Sequence, residues 1–186
     1  MNGDGAPDLA VADHASNNVA VLMNVGDGTF KRVAYFNVGR LPHSIRAGDL
    51  NGDGNIDLVT ANDGSNNVSI LYGTGTGTFA KAVNYATGQM PKAVELGDIN
   101  GDGRLDIITA NVAGNYPNWT NPAGMTISVL QGTATGKFTQ PLSFNTGDTP
   151  FSLALGDFDG DGELDLATAN WLSNNVTVIL NGMAVV

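Results

Sequence analysis

The sequence predicts an all-β protein, a β-propeller of four-stranded antiparallel blades, with about three and a half blades in its 186 residues. Three observations lead there. A short acidic loop bearing glycines recurs at intervals of blade length. Between its copies the same four short segments, rich in Val, Ile, Thr and Asn, follow in the same order. No window carries a convincing helical period.

The loop occupies residues 48–57, 97–106 and 156–165, with a clipped copy at residues 2–8. Measured between its last aspartates, the spacing is 49 residues from Asp8 to Asp57, 49 from Asp57 to Asp106, and 59 from Asp106 to Asp165. The third unit therefore carries an insertion. Approximate units are residues 1–41, 42–90, 91–149 and 150–186 within a single repeat domain.

Each unit is justified element by element. A first apolar segment enters the loop, as in Lys92-Ala93-Val94-Glu95-Leu96 or Ser152-Leu153-Ala154-Leu155. A second leaves it, as in Asp57-Leu58-Val59-Thr60-Ala61-Asn62 and its copies from Asp106 and Asp165. A third alternates polar with apolar residues, as in Asn67-Val68-Ser69-Ile70-Leu71. A glycine turn ending in Phe79 leads to a fourth, Ala82-Val83-Asn84-Tyr85, and Gly88-Gln89-Met90-Pro91 opens the next unit. Segments of this length, β-branched and bounded by turn residues, are strands. Four of them per unit is the arithmetic of a propeller blade; helical solenoids lack their helices here, and a β-helix would use a shorter repeat.

The count gives fourteen strands. The first unit lacks its first strand and the fourth stops after its third, at Leu180. An open arc of this kind leaves strand edges exposed, so the expectation is a fragment of a longer chain, self-association or an unusually small ring.

Charge sorts the possible functions. The formal net charge is −10, and 13 of the 18 acidic residues fall inside the four loop copies. The acidity is therefore chemistry of the loops, and four divalent ions would bring the net charge to about −2. Eight scattered Lys and Arg residues offer no footprint for nucleic acid. The absence of cysteine excludes disulfides and thiolate metal sites. No apolar stretch is long enough for a membrane-spanning helix. Met1 stands at the second position of a loop whose first ligand is missing, which fits a fragment whose export signal lay upstream.

Within the loop, counted from Asp98, acidic or amide side chains stand at positions one, three, five and nine, with glycine at four and six. Side-chain oxygens so spaced converge only if the backbone coils tightly, which the glycines permit. A hard cation ligated by oxygen, calcium above all, accounts for the gathered charge. Position seven is Asn55, Arg104 or Glu163, as expected if only its backbone carbonyl coordinates. The bland alternative is a set of acidic Asx-turns that bind nothing. A helix-flanked EF-hand would place Glu at position twelve, where this chain has Thr60, Thr109 and Thr168. A dockerin-type loop would also run into a helix, whereas these loops run into strands.

The run Gly-Asp-Leu-Asn-Gly-Asp-Gly-Asn-Ile-Asp-Leu at residues 48–58, with full-length variants at residues 97–107 and 156–166 between strands, resembles the FG-GAP/VCBS repeat of integrin-α-like β-propellers across essentially the whole chain. The resemblance implies one calcium ion per loop, on one face of the ring. The implied ligands are Asp49, Asn51, Asp53, Asn55 (carbonyl) and Asp57; Asp98, Asn100, Asp102, Arg104 (carbonyl) and Asp106; and Asp157, Asp159, Asp161, Glu163 (carbonyl) and Asp165. The first copy keeps only Asn2, Asp4, the Ala6 carbonyl and Asp8, a partial fourth site. One departure stands out: the family's Gly-Ala-Pro after the second strand is replaced here by Ala61-Asn62, and Gly5-Ala6-Pro7 lies inside a loop by coincidence. The resemblance places the chain outside the cell, as does the suitability of open loops for millimolar calcium.

Strand topology puts the connections from second to third strand, and from fourth strand to the next unit, on the face away from the loops. That face is expected to gather His14, Asp63 and Trp171, which are equivalent positions, with Arg40, His43, Gln89, Lys92, Asp148 and Phe151. The insertion, residues 115–122, adds Tyr116 and Trp119. Aromatic rings among amides suit a glycan or peptide ligand, so Tyr116, Trp119 and Trp171 are candidate ligand-binding residues; the alternative is that both tryptophans pack against their own blades. The Asn-x-Ser/Thr patterns at Asn67 and Asn175 coincide with strand starts and read as turn chemistry. Three functional classes follow: a protein-binding or adhesion module, open to self-association; a lectin-like propeller with its ligand opposite the calcium loops; and a part of a larger secreted enzyme such as a polysaccharide lyase. No catalytic cluster is found to favour the last.

Overall fold

The structure is a computed structural model and describes residues 1–114 and 125–182. Four antiparallel sheets follow one another along the chain. The first has three strands, β1 (Leu9–Asp13), β2 (Asn18–Asn24) and β3 (Phe30–Asn37). The second has four, β4 (Pro42–Gly48), β5 (Asp57–Asn62), β6 (Asn67–Leu71) and β7 (Val83–Ala86). The third repeats it with β8 (Pro91–Gly97), β9 (Asp106–Asn111), β10 (Thr126–Leu130) and β11 (Leu142–Asn145). The fourth again has three, β12 (Pro150–Gly156), β13 (Asp165–Asn170) and β14 (Asn175–Ile179). Among the described residues this is the fourteen-strand, three-and-a-half-blade count expected from the repeats, with the missing strands at the expected ends. The one helical element described is a single 3-10 turn, Asp63–Ser65, and no described helix is long and apolar enough to cross a membrane.

The blades are held together face to face. Val19 and Val21 of the first sheet pack on Leu58 and Leu71 of the second. Val59, Ala61, Val68 and Ile70 pack on Ile107 and Leu130 of the third. Ile108, Ala110, Ile127 and Val129 pack on Leu153 and Leu166 of the fourth. A sheet with neighbours on both sides buries both faces of its strands, and β5 and β9 are accordingly buried along their whole lengths. The leading strands β4, β8 and β12 lie side by side along the inner edge of the arc, where the Arg46 guanidinium forms a two-pronged pair with the Glu95 carboxylate, its Nε donating to Oε2 at 2.7 Å.

Burying strands on both faces also buries polar side chains, and these are paired in a repeated pattern. In the third sheet the Thr109 hydroxyl donates to Asn111 Oδ1 at 2.9 Å, and Asn111 Nδ2 donates to Ser128 Oγ at 2.9 Å and to Thr126 Oγ1 at 3.1 Å. Asn62 and Asn170 repeat this with Thr60, Asn67 and Ser69, and with Thr168, Asn175 and Thr177. The departure from Gly-Ala-Pro after the second strand is thus a buried hydrogen-bonding hub. Asn67 and Asn175 accept from it, which accounts for the sequence pattern at both strand starts. The chain crossing above must carry no side chain: a Cβ on Gly88 would sit 2.6 Å from Asn111 Nδ2, and the Gly88 N–H donates to Ser128 Oγ at 3.0 Å.

Each blade also fixes where the next begins. Asn17 and Asn66, both in the left-handed region at φ 56° and 54°, accept the N–H of Leu41 at 2.8 Å and of Met90 at 2.9 Å through their side-chain oxygens. Leu41, Met90 and Thr149 themselves have φ of 52°, 50° and 63° immediately before prolines, a backbone state that costs on the order of 1–3 kcal/mol each. In the third unit Met125 replaces the asparagine, and its sulfur accepts the Thr149 N–H.

Replacing Asn111 with alanine leaves the Thr109 and Ser128 hydroxyls short of partners in a dry interior. The expected loss is about 1–3 kcal/mol of unfolding free energy, read as a lower denaturant midpoint at unchanged slope.

Candidate functional site

The loops between first and second strands all lie on one face and share one construction. In the second unit Asp49 Oδ1 accepts the Gly52 N–H at 2.8 Å and the Asp53 N–H at 3.2 Å, while Oδ2 accepts the Gly54 N–H at 2.8 Å. Asn51 Oδ1 accepts the same Asp53 N–H at 3.0 Å. Two side-chain oxygens from positions one and three therefore meet at one donor. The third unit repeats this with Asp98 and Asn100 on the Asp102 N–H, at 3.0 and 3.1 Å. The coil that makes it possible runs through Gly52 and Gly54 at φ 75° and 82°, and through Gly101 and Gly103 at 69° and 82°.

The ninth-position aspartate anchors the loop to its blade. Asp57 is fully buried, accepting the Leu50 N–H at 2.9 Å on Oδ2 and the Gly73 N–H at 2.7 Å on Oδ1. Asp106 does the same with Ile99 at 3.0 Å and Gly132 at 2.8 Å, and Asp165 with Phe158 at 2.7 Å and Asn181 at 2.8 Å. Asp8 accepts the Asn24 N–H at 2.9 Å. Each thus joins its loop to the end of the third strand. Burial pushes the Asp57 and Asp106 carboxyls above the usual carboxylate range; the N–H donors oppose this, and the neighbouring loop carboxylates add to it. Asp53, at the exposed rim, is lowered by the Asn55 N–H and the Asn51 amide.

The side chains at positions one, three, five and nine of the full loops all carry oxygen, the donor type of a hard cation. In the fourth unit Asp157, Asp159 and Asp165 bring carboxylate oxygens within 4.8 Å of one another. The corresponding third-position residues in the middle loops are the amides Asn51 and Asn100, so those loops carry one carboxylate fewer. The Arg104 guanidinium turns back onto the Asp102 carboxylate, and its Nε reaches the Gly132 carbonyl at 3.2 Å. In that loop a side chain already supplies positive charge at position five, a feature that the sequence pattern alone did not disclose.

The opposite face gathers most of the residues assigned to it. The His14 and His43 rings lie 6.1 Å apart, His43 and Phe151 6.3 Å, and Phe151 and Trp171 5.5 Å with planes at 87°. This line of rings links the first, second and fourth units. Buried Lys92, from the third, completes it: its ammonium forms an ion pair with Asp63 at 2.5 Å and lies 5.8 Å from the Phe151 ring centroid. Arg40 and Asp148 contribute backbone carbonyls to the same turns. Tyr116 and Trp119 lie outside the described residues.

His43 shows the sign of the electrostatics there. Its Nδ1 lies 3.0 Å from the Lys92 carbonyl, and its pKa falls below the ordinary 6.5, first through desolvation and then through the Lys92 charge. A histidine lowered in the folded state takes up its proton more readily when unfolded. Its contribution is intact above 6.5 and is lost as pH falls through the folded value. Urea titrations from pH 7.5 to pH 5 should show declining stability over this window, and His43→Gln should flatten that part of the profile.

A family model described as FG-GAP-like repeat matches three stretches, residues 1–60, 49–109 and 115–168. No curated protein matches the chain. Among solved structures, BBS1N in complex with ARL6DN, soaked with lead, superposes with a TM-score of 0.63 at 13% identity, over 98% of this chain and 52% of that one. The V. cholerae biofilm matrix protein Bap1 gives 0.47 at 19% identity, over 97% of this chain and 36% of that one. The Photorhabdus luminescens Tc holotoxin pore gives 0.47 at 19% identity, over 89% and 8%. The chain spans about half the length of the first and much less of the other two. At these identities the likeness concerns the fold alone.

Proposed function

The chain belongs to the FG-GAP-like repeat family, and from that premise we propose that it is a calcium-stabilised binding module that works outside the cell, by recognition and adhesion to protein or glycan partners rather than by catalysis. The observation that carries the reading is the convergence of the Asp157, Asp159 and Asp165 carboxylates in the fourth loop; the middle loops keep oxygen at the same positions, with the amides Asn51 and Asn100 in third place. Asp49, Asn51, Asp53, the Asn55 carbonyl and Asp57 would hold a second ion. Asp98, Asn100, Asp102, the Arg104 carbonyl and Asp106 would hold a third, and Asn2, Asp4, the Ala6 carbonyl and Asp8 a weaker fourth.

Bound calcium would supply positive charge at the centre of each loop. The chain's own residues then do the structural work. The position-one carboxylates hold the coil, and the buried ninth-position aspartate transmits its geometry to the turn after the third strand. The Arg104–Asp102 pair makes the third-unit loop the weakest of the three full sites, since calcium there must compete with a guanidinium. This division assigns the loop face to stability and leaves the other to ligands.

Calcium at a free concentration about a hundredfold above Kd should stabilise the fold by about 2.7 kcal/mol for each independent site. Thermal denaturation should show a higher melting temperature with calcium than with excess chelator, and the double variant Asp157→Asn, Asp159→Asn should lose part of the difference. Identical transitions in calcium and chelator would overturn the reading.

A glycan ligand is a second reading, favoured by one observation. Trp171 is 58% exposed and stands edge to face with Phe151 beside an open groove that Asn170, Asn174 and Asn175 also line. A flat ring flanked by amides suits the apolar face of a sugar. Trp171→Ala, alone and with Trp119→Ala, should abolish signal on a glycan array while leaving the calcium-dependent melting shift in place.

A further inference from the structure

Each leading strand carries a β-bulge at the same place. The pairing of β4 with β5 skips one residue between Pro42 and Ser44, that of β8 with β9 between Pro91 and Ala93, and that of β12 with β13 between Pro150 and Ser152. The extra residues are His43, Lys92 and Phe151. A bulge leaves its extra residue out of the ladder and re-aims the side chain. Lys92 and His43 each meet the residue that follows the second strand of the preceding unit. Register makes His14, Asp63 and Val112 equivalent at that position, because Asp13, Asn62 and Asn111 pair with Asn18, Asn67 and Thr126.

The chemistry at this shared position differs from junction to junction. Between the second and third units it is the Lys92–Asp63 ion pair, closed on itself at 2.5 Å. Between the first and second it is two imidazoles. His14 and His43, the two histidines of the chain, stand with ring centroids 6.1 Å apart and planes at 80°. An imidazole nitrogen binds a transition metal at about 2.0–2.1 Å, so two rings sharing one ion stand about 5–6.4 Å apart by centroid. The observed spacing falls in that range.

The His43 ring is already oriented as a ligand. Its Nδ1 lies 3.0 Å from the Lys92 carbonyl, and with Nδ1 as the donor the free lone pair is on Nε2. This is how a backbone carbonyl fixes the tautomer of a metal-binding histidine. Phe151 packs against the same ring at 6.3 Å and 65°. His14 is held by a tight turn in which the Ser16 and Asn17 N–H groups both donate to the Asp13 carbonyl. Both histidines are exposed, so water can complete the coordination. The Asp63 carboxylate offsets the Lys92 charge beside them.

We propose that His14 and His43 form a two-histidine site for a divalent transition-metal ion of the zinc class, which ties the first unit to the second at the inner edge. Nitrogen donors set it apart from the oxygen-bearing loops of the other face, which suit calcium. The site stands whether or not those loops hold an ion.

The test is calorimetric titration of the whole chain with zinc chloride in millimolar calcium, with the histidine Cε1–H resonances followed by NMR. The expected result is one zinc per chain with a Kd below about 100 μM, and movement of both histidine resonances. His14→Gln and His43→Gln should each weaken binding at least about tenfold while keeping the far-ultraviolet circular dichroism of the parent. Should His43→Gln fail to fold, exposed His14→Gln still decides the matter. No saturable binding by about 1 mM zinc, unchanged affinity in His14→Gln, or histidine resonances that stay in place would each overturn the proposal. So would a zinc-dependent dimer in sedimentation, which would assign the histidines to a bridge between copies.

Discussion

The interaction on which the rest depends is the double acceptance of backbone N–H groups by a buried aspartate at the start of each second strand. A carboxylate is costly to bury and worth burying only where both oxygens are occupied. Asp57, Asp106 and Asp165 meet that condition by gripping the loop on one side and the end of the third strand on the other. Three strands of a blade are thereby tied at one point. The same oxygens lie beside a cluster of further acidic groups, so the feature that closes each blade also concentrates charge at its rim. Structural need and cation affinity arise from a single residue.

This coupling gives the arc two unlike faces. One is dominated by coiled loops whose backbone donors are consumed internally. The other collects residues from every unit: His14 and His43 from the first two, Lys92 from the third, Phe151 and Trp171 from the fourth. Because neighbouring blades place equivalent positions side by side around the inner edge, single substitutions in separate repeats assemble into one surface. Repetition builds the scaffold, and departures from repetition write a site onto it. The buried Lys92–Asp63 pair belongs to the second kind, since neither residue has a charged counterpart in every unit.

How much of this could be read from the sequence follows from the range of each interaction. Strands, loop spacing and the incomplete end units were legible because a repeat displays the same local chemistry several times. The exit of Asp57 and Asp106 from their loops into strands was legible for the same reason. Contacts that depend on how a loop folds back, or on which strands and units lie side by side, were harder. Arg104 was recognised as unfit to ligate a metal through its side chain, but its pairing with Asp102 depends on how the loop folds back. Ala61-Asn62 registered only as a departure from a family pattern, because the hydroxyls that Asn62 and Asn111 organise come from another strand. The neighbourhood of His14 and His43 was anticipated as a possibility of topology; the ring-to-ring line through Phe151 required the inner strands to be placed first.

The left-handed asparagines carry a consequence for how such a molecule can grow. Asn17 and Asn66 hold the strained residue with which the following blade begins, and Asn174 in the last described unit has the same backbone conformation at φ 52°. Each module therefore contains the socket for its successor, so that tandem duplication of one coding unit adds a part already matched to its attachment point. An insertion such as that read at residues 115–122 can accumulate in one copy without disturbing that match, provided the socket keeps an acceptor, as it does where Met125 stands in for asparagine. Lineages of this architecture can change their length and decorate single modules independently, and the two kinds of change need not be tuned to each other.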